Sequence, residues 1–278
     1  MQDPAVIEKI LRHDRAIVLA VLAAVIAASW AFILTGMGTG MSTFAMTSLP
    51  MALGLARQVP DAMAMPVHWT LQHALVMFFM WWGMMIAMML PSATPTILLH
   101  AKVVRGAGAG TGTNGVFAPS AMFTAGYLLA WGSFSASAAM LQWRFEKMGV
   151  LSPMMMNAAS NLFAGSILLF AGAYQLSPLK QACLRHCQGP IQFLSRHWRP
   201  GTLGAMRMGL HHGAYCLGCC WGLMLILFFG GIMNLYWIAA LALLVLLEKI
   251  SSAGRTFSLT TGSLLVVWGL SFLYRAIA

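Results

Sequence analysis

The sequence predicts an all-α protein, a polytopic membrane helix bundle of about seven transmembrane helices with its N-terminus inside. The first reason is composition: 60% of the 278 residues are apolar and 8% are charged, against about 45–50% and about 25% in soluble domains. The second is that the apolar residues form long continuous runs, which favours helices over the alternating strands of a barrel. Composition thus excludes an ordinary soluble enzyme, and residues 1–278 are expected to form a single transmembrane domain.

Seven apolar runs approach the length of about 20 residues that a helix needs to cross a bilayer. The sixth is short, and Gly230-Gly231 allow only a tight turn before it. The first follows a polar segment, residues 1–16, without an obvious small-residue cleavage site, so we expect a retained span. The runs are Ile17–Leu34, Trp69–Leu90, Pro119–Gln142, Met154–Leu176, Leu210–Phe229, Met233–Leu247 and Phe257–Tyr274.

The basic residues orient these runs. With the N-terminus inside, 12 of the 16 Lys and Arg fall on the inner side, and only Arg57, Arg144, Lys147 and Arg275 fall on the outer side. Inner loops of membrane proteins carry such an excess. Membrane orientation therefore explains the net charge of +10, and no nucleic-acid partner is expected.

The fifth run carries the clearest chemical pattern. His212, Cys216, Cys219 and Cys220 are spaced by four, three and one residues, which places them on one helical stripe. Thiolates beside imidazole favour Cu(I), with zinc as the common competitor. Simple packing of small thiols and a redox pair are the alternatives. His211 lies on another face and is expected to support the ligands rather than to bind.

A second cysteine cluster precedes this run, in an inner basic segment of residues 177–208. Cys183 and Cys187 are one helical turn apart with His186 between them, and Ser177-Pro178 suits a helix start. On the cytoplasmic side thiols stay reduced, which favours metal ligation over disulfides. The alternative is an amphipathic surface helix.

Methionines follow one face of the second run. His73, Met77, Met80, Met84 and Met88 are spaced by four, three, four and four residues, and thioethers offer weak, exchangeable Cu(I) sites. The outer loop, residues 36–68, is also rich in Met and is expected to collect the ion. Against this, Met commonly fills irregular gaps in a core. The loop methionines are Met37, Met41, Met46, Met51, Met63 and Met65.

Glu248-Lys249 closes the sixth run at the inner edge. Charges at membrane depth are rare and informative. The pair either neutralises itself locally or provides Glu248 as the hydrogen-bond partner of a ligating His.

Several of these motifs resemble those of a bacterial family of predicted metal-binding integral membrane proteins, a domain of unknown function sometimes labelled copper chaperone. The likeness covers about Trp69 to Tyr274. It implies a multi-pass protein of the bacterial inner membrane with a metal-related role, and it assigns no catalytic residues. The motifs are Met84-Met85-Ile-Ala-Met88-Met89-Leu-Pro91, Tyr174-Gln-Leu-Ser-Pro-Leu-Lys-Gln-Ala-Cys-Leu-Arg-His-Cys187, and the stretches from Trp198-Arg-Pro-Gly through His212 and Cys219-Cys220-Trp221 to Glu248-Lys249.

Three functions stay open at this point. The first is Cu(I) binding in copper transport or in delivery to a metalloenzyme or metallochaperone, with membrane lipid around the protein. The second is a membrane redox subunit with His73 and His212 as axial haem ligands. The third is a non-catalytic assembly subunit whose Met and Cys only pack. An oligomer is compatible with each, and no motif argues for an enzyme.

Overall fold

The computed structural model describes residues 4–36, 42–55, 69–106, 114–153 and 155–278, with side chains for all of these except residues 4–14 and 114. Within these ranges the regular structure is helical, apart from an isolated bridge between Leu151 and Ala158. The helices are α1 (Pro4–Leu34), α2 (Leu49–Ala52), α3 (Leu71–Gly106), α4 (Asn114–Lys147), α5 (Asn161–Leu176), α6 (Pro178–Gln188), α7 (Pro190–His197), α8 (Gly201–Met224), α9 (Leu227–Gly230), α10 (Leu235–Ile250) and α11 (Gly254–Ile277).

Seven of these helices overlap the seven apolar runs, but several predicted bounds are wrong. Helices α1 and α8 begin earlier than the runs, at Pro4 and Gly201, and α4 extends five residues beyond both ends of its run. Helix α3 continues to Gly106, past Pro91 and Pro95. Beside these prolines, the Met89 carbonyl oxygen accepts hydrogen bonds from the Ser92 hydroxyl and from the Tyr127 hydroxyl of α4. The fourth run starts too early, since α5 begins at Asn161 after a Ser160 cap.

In the described part of the chain, four stretches are long and apolar enough to cross a membrane: 15–34, 71–106, 201–230 and 254–277. Helices α5 and α6 pass the same test together, but they meet at an angle of 61°, as in a broken span or a re-entrant loop. Helix α10 has 16 residues, which is short for a bilayer of about 30 Å. The all-helical fold is confirmed for the described residues, and several helices are apolar and long enough to cross a membrane. The count of seven spans and the inside N-terminus remain predictions.

The distribution of side chains is the reverse of that in a soluble domain. Large apolar side chains of α11, such as Leu264 and Val267, are about two-thirds exposed on the outside of the bundle. Lys180, Glu248 and Gln142 are instead buried inside. Polar groups at membrane depth usually face the interior of a bundle, so this arrangement fits a lipid-facing surface.

Helix α3 lies at the centre and contacts α1, α4, α7 and α10. Its inward side is rich in methionine, and Trp81 in the same stretch donates a hydrogen bond of 2.9 Å to Gln142 of α4. The core therefore contains the methionine face that the sequence predicts.

Helices α4 and α8 touch through their backbones. A Cβ atom on Gly209 would lie 1.9 Å from the Phe123 carbonyl oxygen, and one on Gly126 would lie 2.1 Å from that of Met206. Small residues allow such close approach between membrane helices. This contact holds Tyr127 of α4 against the middle of α8.

Replacing Gly209 by Ala is expected to separate α4 from α8 and to lower the free energy of unfolding by about 1–3 kcal/mol, as overpacking does. Thermal unfolding in detergent measures the effect. The matched control is Gly106→Ala, since a Cβ at that glycine meets no atom within 4 Å. Equal midpoints for the two variants would contradict the prediction.

Candidate metal centre

Four cysteines from two helices lie together inside the bundle, and we call them the cysteine cluster: Cys187 of α6 with Cys216, Cys219 and Cys220 of α8. The three α8 thiols are each about 1% exposed. The Cys187 and Cys219 sulphurs are 3.9 Å apart and unbonded. Two thiolates on one tetrahedral zinc, with Zn–S bonds of about 2.3 Å, would lie roughly 3.8 Å apart. Helices α6 and α8 thus place one pair of sulphurs at a distance that suits a shared ion.

Cys216 lies between an ammonium group and a phenol. Lys249 Nζ is 2.8 Å from its sulphur and also donates to Ser92 Oγ at 3.1 Å. The Tyr127 hydroxyl is 3.1 Å from the same sulphur. A neighbouring lysine stabilises negative charge on sulphur. This end of the cluster is therefore built to hold a thiolate.

The other two α8 thiols point back along their own helix. Cys219 and Cys220 donate to the Cys216 carbonyl oxygen at 3.1 Å and 2.8 Å. As a result, no group of three or more His, Cys, Asp or Glu side chains among the described residues is arranged to hold a metal ion. A thiolate has no proton to donate to a carbonyl, so deprotonation would release both side chains from this arrangement.

The methionine face of α3 is buried and meets the cysteine cluster. Met77, Met80, Met84 and Met88 are exposed by 1% or less. At the inner end Met89 Sδ lies 3.9 Å from Cys220 Sγ. The predicted stripe therefore lies inside the protein rather than against lipid, and Met89 connects it to the thiols.

A polar group closes the far end of this methionine face. Trp69 Nε1 donates to one oxygen of Glu146 at 2.6 Å, and Gln142 Nε2 donates to the other at 2.9 Å and to Met77 Sδ at 3.4 Å. The His73 ring lies against Trp69, with centroids 4.9 Å apart. Desolvation raises the pKa of Glu146 above its usual value, and these hydrogen bonds and His73 offset part of that rise. Glu146 thus places its carboxyl group near His73, and Gln142 connects it to Met77.

Helix α6 forms and begins as the sequence predicts, but His186 does not lie with the cysteines of this helix. Ser177 caps α6, Pro178 begins it, and Cys183 and Cys187 both face α8. The His186 ring stacks on Tyr215 at 4.3 Å between centroids. His211 is exposed, with its ring 4.5 Å from that of His197. Neither histidine shows a contact with a cysteine of the described part.

Glu248 has other partners than the sequence suggests. Its two oxygens accept hydrogen bonds of 2.7 Å from Gln175 of α5 and from Lys180 of α6, and the Lys180–Glu248 ion pair is almost fully buried. The prediction that Glu248 orients a histidine is wrong, and so is the local pair with Lys249. Neighbouring residues on a helix point in different directions, so Glu248 and Lys249 face different helices.

The two proposed haem ligands lie far apart. His73 is next to Trp69, which bonds Glu146, whereas the His212 ring is 5.8 Å from that of Tyr127. Glu146 and Tyr127 are nineteen residues apart on α4, about 28 Å at a rise of 1.5 Å per residue. One iron cannot take both imidazoles, so the haem interpretation with this ligand pair is wrong.

Two methionines of the outer loop also differ from expectation. Met46 and Met51 are buried, at 3% and 6% exposure, so they do not offer a surface that collects ions. Met37, Met41, Met63 and Met65 lie outside the described residues.

Sequence reasoning missed two groups of the centre, Tyr127 and Ser92. They come from helices far from α8 in the chain and reach Cys216 and Lys249 only through helix packing. A single tyrosine or serine in an apolar run gives no spacing signal that could have identified it.

A family model, PpoB2, described as copper chaperone, matches residues 78–272. That range covers more than half of the chain. The protein belongs to this copper-chaperone family. No curated protein and no solved structure matches it. The matched range includes α8, the cysteine cluster and most of the methionine face.

In this copper-chaperone family member, replacing Glu248 by Gln is expected to leave the Lys180 ammonium buried without its counter-ion. Breaking a buried ion pair in this way costs about 3–5 kcal/mol, which a thermal unfolding midpoint measures. The double variant with Lys180→Met removes both charges and is expected to recover most of the loss. A single variant as stable as the parent would refute the assigned pairing.

Proposed function

We propose that this protein binds Cu(I) inside its helix bundle and passes it on, in copper transport or in delivery to a membrane metalloenzyme. The description of its family supports a copper-related role. The proposed ligands are the buried sulphur groups of α3, α6 and α8, with His212 beside them.

The observation that carries the proposal is the contact of 3.9 Å between Met89 and Cys220. It joins a buried face of thioethers to a buried cluster of thiols. Both ligand types are soft and select Cu(I). Thioethers hold the ion weakly and thiolates hold it tightly, so an ion moving toward α8 gains affinity.

Charge also favours this cargo. A Cu(I) ion on two thiolates carries a net charge of minus one, and the Lys249 ammonium beside Cys216 balances it. Zinc on the same ligands would leave an uncompensated positive charge, which is expensive in a low-dielectric interior. Binding would also release thiol protons and break the hydrogen bonds to the Cys216 carbonyl.

The ligands extend across most of a membrane. His73 and Met89 are sixteen residues apart on α3, about 24 Å at 1.5 Å per residue, against a hydrocarbon core of about 30 Å. In the proposed route His73, with Glu146 beside it, accepts the ion at the outer end. Met77, Met80, Met84 and Met88 relay it, the α8 cysteines hold it, and Cys183 and Cys187 release it.

The bacterial inner membrane is the proposed location, with the N-terminus in the cytoplasm. The apolar helices and the excess of basic residues on one side support it. The recipient would be a membrane metalloenzyme or a metallochaperone, and the same ligands would serve transfer in either direction.

Replacing Cys216, Cys219 and Cys220 together by Ser is expected to abolish tight copper binding, because hydroxyls are poor ligands for Cu(I). Elemental analysis of protein purified from copper-supplied cells measures the copper-to-protein ratio. Unchanged copper content in the triple variant would end the proposal. Metal-free parent protein that co-purifies with a larger complex would support the assembly function instead.

Replacing Met80 and Met84 together by Leu keeps their apolar volume and removes two thioethers. We expect slower copper transfer through the protein in vesicles, with the copper held by the cysteines unchanged, because only the relay loses ligands. The control is Met140→Leu with Met148→Leu, since both of these methionines are exposed at 63%. Equal transfer rates for the two double variants would show that the methionine face only packs.

A further inference from the structure

Among the described residues, five buried side-chain nitrogen and oxygen atoms have no hydrogen-bond partner. One of them, Trp131 Nε1, lies two helical turns beyond Phe123 on α4; the other four are both ring nitrogens of His100, the Ser120 hydroxyl and Nδ1 of His212. His100 on α3 is fully buried and His212 on α8 is 3% exposed. Native interiors rarely leave such groups unpaired, and those that remain mark a missing ion, water or catalytic role.

His100, Ser120 and His212 lie around Phe123 of α4. The His100 and His212 rings contact its ring, with centroids 4.8 Å and 6.1 Å away. Ser120 lies one helical turn before Phe123 on α4. These unpaired atoms therefore flank one side chain, Phe123, in the compartment between α3, α4 and α8.

This compartment contains a third metal-binding group. Met208 is buried one helical turn before His212 on α8. The residue after it, Gly209, packs against the Phe123 backbone. Imidazole with thioether suits Cu(I), and an imidazole nitrogen that makes no hydrogen bond is free to bind a metal. His100 has no role in the sequence-derived ligand set, because a single histidine in an apolar run carries no spacing signal.

The compartment lies between the cysteine cluster and the surface. On one side His212 is one helical turn from Cys216. On the other side Met208 lines an open cavity of about 430 Å³ together with Arg196, Arg199 and Arg207. Met208 also accepts a hydrogen bond from the Arg199 backbone N–H at 3.3 Å. A metal ion bound by Met208 and His212 would lie between the buried thiols and the basic face of α7 and α8.

We propose that His100, with His212 and Met208, forms a second Cu(I) site between the cysteine cluster and the basic cavity. This inference rests on the proposed copper function and adds a nitrogen-rich site to the sulphur site. Its position gives the α8 cysteines a second connection to the surface, through the basic cavity, in addition to the route through Cys183 and Cys187. The arginines around that cavity suit an anionic carrier of copper.

The test compares His100→Phe with His100→Met in purified protein loaded with Cu(I) under reducing conditions. Phe keeps a ring beside Phe123 and removes both nitrogens, whereas Met supplies a thioether. His100→Phe is expected to bind one Cu(I) fewer per chain than the parent. His100→Met is expected to retain that ion, with sulphur replacing nitrogen in the copper X-ray absorption spectrum.

Thermal unfolding of the metal-free variants separates ligand loss from misfolding. His100→Phe removes two unpaired buried atoms, so its midpoint is expected to equal or exceed that of the parent. A lower midpoint with unchanged copper would overturn the inference, since His100 would then be a structural residue with its own partners.

The triple cysteine variant distinguishes this inference from the proposed function. If it loses one ion and keeps a nitrogen-bound ion that His100→Phe removes, both sites stand. If it loses no copper but His100→Phe removes a nitrogen-bound ion, the second site stands while the cysteine site fails. If it loses all copper and His100→Phe loses none, the cysteine site stands and the second site is refuted. A parent protein that binds no Cu(I) overturns both.

Discussion

The contact between the Lys249 ammonium and the Cys216 sulphur is the interaction on which the interior of this bundle depends. An ammonium group in an apolar interior is stable only when a charge or strong acceptors compensate it. Lys249 has the thiol at 2.8 Å and the Ser92 hydroxyl at 3.1 Å. Those two contacts join α10 to α8 and to α3, so the groups that neutralise the lysine also hold together the helices that carry the sulphur ligands.

A second buried charge pair gives the inner side of the bundle its shape. Lys180 and Glu248 connect α6 to α10, and Gln188 adds a hydrogen bond of 2.7 Å from α6 to the Glu248 carbonyl oxygen. Helix α6 is thereby held against α8, where its Cys187 approaches Cys219. Glu248 and Lys249, two adjacent residues near the end of α10, therefore have different roles: Glu248 positions α6, and Lys249 contacts the Cys216 thiol. Replacing either residue is expected to alter the arrangement of the cysteine cluster as well as the packing around it.

Much of the fold was readable from composition and periodicity. Apolar runs predicted the helices because a bilayer leaves few other ways to satisfy the backbone. Their ends were less predictable: α3 continues through Pro91 and Pro95 to Gly106, although a proline inside a helix commonly kinks or ends it. The spacing of His212 and Cys216 placed them on the buried face of α8, and the methionine spacing predicted the interior face of α3. The spacing of residues along one helix predicts which of them share a face of that helix, but it does not predict which other helix that face contacts.

Which atoms meet across helices was beyond the reach of spacing. The chain alone specified an all-helical, lipid-compatible protein with soft ligands on two faces, because these properties follow from local composition and helical geometry. Only the folded structure shows which side chains contact each other across helices: Glu248 pairs with Lys180, Lys249 contacts Cys216, and Met89 contacts Cys220. It also shows that His100 is buried beside Phe123 without a hydrogen-bond partner. The reason is that each of these relations depends on the direction in which two helices face and on how closely their backbones approach. Neither quantity is a property of a single stretch of sequence.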